Sequence, residues 1–113
     1  MKLSYEGIGQ WSATFACEQA KRGEVVKMSG NCAVAPCLDG DAFCGVVLTM
    51  ARGGDACAVQ LGGMVTVGFT GPALALGRTA LTADGSGGVK GGGTEKYLVV
   101  DVDETAGTVT FAL

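Results

Sequence analysis

The chain has 113 residues, a net charge of -3 and 48% hydrophobic residues against 17% charged ones. That length fits one domain, and a charged share well under the usual quarter points to apolar surface hidden by association, so a homo-oligomer is expected. No lysine or arginine cluster exceeds the pair Lys21-Arg22, which excludes the electrostatic footprint of nucleic-acid binding, and no apolar run reaches the ~18 residues of a membrane helix.

The N-terminal stretch MKLSYEGIGQW has one lysine and then mostly polar residues. It does not read as a signal peptide, so the expected location at synthesis is the cytoplasm. Residues 1–22 are expected to form an N-terminal arm or a first strand, and 23–113 a single β domain. Tyr5 and Trp11 are the candidate interface residues, since amphipathic aromatics are enriched in such roles. Trp11 equally fits a cap over the end of a barrel.

Period-two patterning then dominates. Ser12 to Glu18 alternates as a strand, and Glu24 to Met28 is short and β-branched. Cys44 to Met50 is a continuous apolar run, which predicts a buried strand. Asp55 to Leu61 and Met64 to Phe69 alternate again, and with Cys44–Met50 they predict a three-strand meander at the centre of a barrel. Pro72 to Leu81 is the best helical window, but Gly77 interrupts it, leaving one helical turn at most. Asp84 to Thr94 holds six glycines in eleven residues and predicts a mobile loop. A phosphate-binding loop would need Lys followed by Ser or Thr opening a helix, and Lys90 is followed by glycines instead. Tyr97 to Val102 and Thr108 to Leu113 close the chain as strands. The separators are rich in glycine, with 20 glycines against 2 prolines. Short strands at roughly 8–12-residue spacing give an all-β fold, a small antiparallel barrel or sandwich.

The chain has no histidine, which removes Ser-His and Cys-His nucleophile pairs. Asp101 and Asp103 alternate on a strand beside Glu104, and the reading for them is a solvated rim. Asp39-Gly40-Asp41 resembles a fragment of a calcium loop but lacks the further oxygens at fixed offsets, so a turn is expected. Arg52 and Arg78 are isolated. The five cysteines, Cys17, Cys32, Cys37, Cys44 and Cys57, include no C-x-x-C pair. They read as small buried hydrophobes, with no metal site and no disulfide framework. No cofactor is implied.

Taken in order, Gly45-Val46-Val47-Leu48, Gly54-Asp55, Val59-Gln60-Leu61-Gly62 and Gly77-Arg78-Thr79-Ala80-Leu81-Thr82-Ala83-Asp84-Gly85, followed by a final Val100–Phe111 hairpin, resemble the small bacteriophage and prophage capsid decoration or head-fibre proteins. The likeness covers residues 23–113 and rests on glycines and apolar positions. It implies a barrel-like fold and a non-enzymatic role on the outside of a virion. It also implies a homotrimer and the major capsid protein as partner, with no catalytic residue to carry over. Two features depart from that family: the five cysteines, and the segment Met1 to Cys17, which does not align. The alternative is a ligand-binding β-barrel module for a carbohydrate or a weakly held metal. It is suggested by the Asp101–Glu104 rim, the Asp39–Asp41 turn and the glycine-rich segment.

Overall fold

The computed structural model describes residues 9–17 and 19–113. Among them are nine strands and no helix. They are β1 (Trp11–Cys17), β2 (Val25–Gly30), β3 (Ala33–Pro36), β4 (Gly45–Met50), β5 (Ala56–Gly62), β6 (Met64–Gly68), β7 (Gly77–Ala83), β8 (Val89–Asp103) and β9 (Thr108–Ala112). The all-β class expected from the sequence is present, and so is a barrel. β1-β3-β2-β4-β5 close a five-stranded barrel, and β6-β9-β8-β7 form a four-stranded sheet. Every strand pair is antiparallel except β1 with β3.

Paired valines explain how the two units share a core. Val25 and Val26 are both fully buried, on opposite faces of β2. Val26 joins Val34, Val47, Cys57 and Val59 inside the barrel. Val25 joins Val46 and Phe43 in a second cluster with Val65, Leu81, Val89, Val99, Val109 and Phe111 of the sheet. β4 repeats the device, Val47 facing inward and Val46 facing the sheet. A strand covered on both faces needs apolar residues at consecutive positions, which is why these runs do not alternate. Phe43, in the segment before β4, stacks on Tyr97 at 5.0 Å between ring centres, and Phe111 completes the trio at 5.9 Å from Phe43 and 5.3 Å from Tyr97.

Several expectations need correction. The predicted meander is not formed: β4 pairs with β5, but β6 pairs with β9 in the other sheet. The chain leaves the barrel at Gly63, whose φ of +90° reverses its direction where a side chain would meet the backbone of Gln10. The helical window is not helical either, because Gly77–Ala83 forms β7 and pairs with β8 along its whole length. Tertiary burial of Leu81 and Ala83 outweighs the helical propensity of this alanine- and leucine-containing stretch. The glycine-rich segment is not a loop throughout. Asp84 Oδ1 accepts the backbone N–H groups of Ser86 (2.7 Å) and Gly88 (3.2 Å), making a tight turn. From Val89, which is fully buried, the segment continues as β8. Ala80 pairs with Lys96 and Leu81 with Gly91, so the intervening residues of β8 bulge out of the ladder. β3 was not foreseen, being only four residues long and ending on Pro36, which cannot donate to a ladder.

Candidate functional site

Trp11, one of the two candidate interface residues, opens β1 opposite Gly62 of β5. Its indole lies against the space that a side chain at position 62 would fill, so Gly62 is covered by a cross-strand aromatic. The ring is nonetheless 59% exposed. It is therefore a large amphipathic side chain held on a rigid strand of the barrel wall, not a buried plug. Tyr5 lies outside the described residues. Sequence reasoning missed the other large apolar side chains left in solvent. Leu38 and Leu76 are 69% and 68% exposed, and Met28 and Leu98 are also open. Leu38 directly precedes the turn residues Asp39-Gly40-Asp41, where burial is rare, and that was the available signal.

The Asp39–Asp41 turn is a clamp between the two units. Asp41 accepts Lys27 Nζ at 2.6 Å and the Leu38 N–H at 2.8 Å. Its backbone carbonyl accepts the Ala83 N–H at 3.0 Å and Thr82 Oγ1 at 2.9 Å, and the Gly40 N–H donates to Ala83 O at 2.9 Å. Lys90 of β8 pairs with Asp39 at 2.5 Å. The carboxylates that a cation would need are thus taken by lysines and backbone donors, and no cluster of three or more potential metal ligands exists among the described residues. The bond from Lys27, then that from the Leu38 N–H, holds Asp41 below the usual carboxylate range, while Asp41 holds Lys27 above the usual lysine value. The stability carried by Asp41 is complete above the unfolded carboxylate pKa and lost as pH falls through its lowered value. That carried by Lys27 is complete below the unfolded lysine pKa and lost as pH rises through its raised value. Lys27→Met should therefore lower the melting temperature slightly at neutral pH, and the difference from the wild type should shrink as pH falls through the lowered Asp41 value. Melting curves across that range check this; a gap that persists at low pH would mean that the lysine stem, and not the ion pair, supplies the effect.

At the other end of the sheet, Asp101 and Asp103 stand opposite Thr110 and Thr108, both exposed. Asp103 Oδ1 accepts the Ala106 N–H at 3.0 Å and closes the β8–β9 turn. Asp103 thus serves the turn.

Among the described residues, two hollows bear on function. An open cleft of about 580 Å3 lies between barrel and sheet, walled by Val46–Leu48, Met64–Thr66, Gln10, Gln60 and Arg22. Its buried polar group, Gln60, is satisfied internally: Nε2 donates to Gly62 O and Met64 O at 3.0 Å each, and Oε1 accepts from Gln10 Nε2 at 3.0 Å. A smaller hollow of about 400 Å3 is walled by Ala16, Cys17, Ser29, Ala33–Ala35 and Asp55. All five cysteines are free thiols; Cys17, Cys37 and Cys57 are buried, Cys44 is half-buried and Cys32 is exposed. Burial, with Asp41 nearby, pushes Cys37 up to about 11, and burial also raises Cys44. Thiols so placed stay protonated at neutral pH and are weak nucleophiles.

No family model matches the chain, and no curated protein matches it. The likeness to phage decoration proteins therefore rests on the sequence pattern of residues 23–113, and nothing in those comparisons points to a phage origin. No helix among the described residues is long and apolar enough to cross a membrane.

Proposed function

We propose that the chain is a non-enzymatic structural module that associates with copies of itself, as a trimer, and seats on a protein shell as capsid decoration proteins do, with the major capsid protein as its partner. The observation that carries this reading is Trp11. An indole more than half exposed, fixed on a barrel strand by its contact over Gly62, loses little side-chain freedom when a partner covers it. Aromatic anchors of this kind supply much of the energy of protein interfaces. The exposed Leu38 and Leu76 add apolar surface that a chain with so few charges gains by covering. Trp11→Ala should weaken self-association at least tenfold, about 1.4 kcal/mol, while leaving the far-ultraviolet circular dichroism unchanged. Sedimentation velocity over a concentration series measures this; an unchanged oligomer distribution would remove Trp11 from the interface.

The second reading is a ligand-binding barrel. The cleft between barrel and sheet favours it, because its volume of about 580 Å3 is in the range of small-molecule sites. A carbohydrate held there would raise the melting temperature by an amount that grows with the logarithm of its concentration once that exceeds the dissociation constant.

A further inference from the structure

We propose that the cleft between barrel and sheet binds a small organic monocarboxylate with an apolar body, and that Arg22 holds its carboxylate. This rests on the second reading, in which the cleft takes a small molecule, and names the chemistry of that molecule. Arg22 lies in the turn that leads into β2, is exposed, and lines the cleft. The backbone around it is fixed. The Glu24 N–H donates to Lys21 O at 3.2 Å, and Gly23 at a φ of +85° closes the turn. The Gly23 N–H donates to Val47 O at 2.8 Å, and Glu24 O accepts the Val47 N–H at 3.0 Å, so two bonds tie this turn to β4. The acid nearest to Arg22 in sequence, Glu24, is turned elsewhere. Its Oε1 accepts the Lys21 N–H at 2.9 Å, and its Oε2 lies 2.6 Å from where a side chain on Gly87 would begin, outside the cleft. The ion pairs Lys27–Asp41 and Lys90–Asp39 do not involve Arg22 either. A chain with eleven carboxylates against eight cations thus leaves this arginine without a carboxylate among the described residues.

The rest of the wall selects the ligand. Val46–Leu48 and Met64–Val65 are apolar, and Leu48 and Met64 are only half-buried, so they leave apolar surface for a ligand to cover. A neutral sugar would need several polar partners. Gln60 has none to give as a donor, since both N–H groups of its amide already go to Gly62 O and Met64 O. Arg22 is the one charged side chain among the described residues that line the cleft. One cation balances one negative charge, which suits a monocarboxylate better than a phosphate ester carrying nearly two. The guanidinium also presents a planar fork of donors that matches a carboxylate in two parallel hydrogen bonds. The cleft is open, so water and salt screen the pair and its contribution is modest, about tenfold in affinity.

The test is a titration of the isotope-labelled full chain with 3-phenylpropanoate and with its uncharged counterpart 3-phenylpropanamide, followed by the backbone amide signals in low salt at neutral pH. The acid should shift the signals of Val46–Leu48 and Met64–Thr66, and bind about tenfold more tightly than the amide. Arg22→Gln should bring the acid down to the affinity of the amide, with the melting temperature of the free protein unchanged, because the Arg22 side chain lies in solvent. Arg78→Gln, at an arginine outside the cleft, should leave both affinities as they are. Equal affinities for acid and amide at the cleft, or an acid affinity that survives Arg22→Gln, would overturn the role of Arg22 and leave the cleft as a site for neutral ligands. Cleft signals that move with neither compound at millimolar concentration would overturn the ligand reading of the cleft as well.

Discussion

Val59→Asp is expected to leave the chain unfolded at 25 °C. Val59 is fully buried at the middle of β5, opposite Ala13 of β1 on one side and Val47 of β4 on the other. Its side chain belongs to the apolar cluster inside the barrel, with Val26, Val34, Val47 and Cys57. An uncompensated carboxylate there costs several kcal/mol, and the lost valine burial adds to it, for a total of about 5 kcal/mol or more. Small domains hold only about 5–15 kcal/mol in all. Val59→Ala is the control, expected to fold with a loss of about 2 kcal/mol. Circular dichroism and urea melts distinguish the two. A Val59→Asp protein that keeps the wild-type melting temperature would mean that position 59 does not face the barrel interior.

Phe111→Ala is expected to cost about 3–5 kcal/mol. Phe111 is fully buried on β9, against Phe43 from the barrel side and Tyr97 from β8. Its removal opens a cavity and deletes two ring contacts, each worth about 0.5–1.5 kcal/mol beyond the area they bury. The loss falls on the cluster that joins barrel and sheet, so both should melt together earlier. A urea titration followed by Trp11 fluorescence in the barrel and by far-ultraviolet circular dichroism gives the test. Coincident curves at a lower midpoint are the expected result. A Trp11 transition left at its wild-type midpoint would show that the barrel does not depend on this cluster.

The strands with strong β-branched character were legible from the sequence. Val25-Val26, Val46-Val47, Met64–Phe69 and the final hairpin all fall within or at the ends of strands. What was illegible depended on partners distant in the chain. β7 has an alanine-rich pattern that only becomes a strand because β8 pairs with it and the core covers Leu81 and Ala83. The glycine run after Asp84 has the composition of a loop, yet Val89 anchors it in the core. The move of β6 into the second sheet turns on Gly63, and local sequence does not say which of two sheets a strand joins. The same limit governs the candidate site. Trp11 could be singled out by residue type, but its hold over Gly62 is a contact across about half the chain.

Native mass spectrometry of the reduced, freshly purified protein tests the central claim most directly, because it weighs the assembly and any bound molecule together. A trimer free of adduct is the predicted result. A monomer carrying a stoichiometric metal or small molecule would contradict the assembly reading and turn attention to the cleft between barrel and sheet.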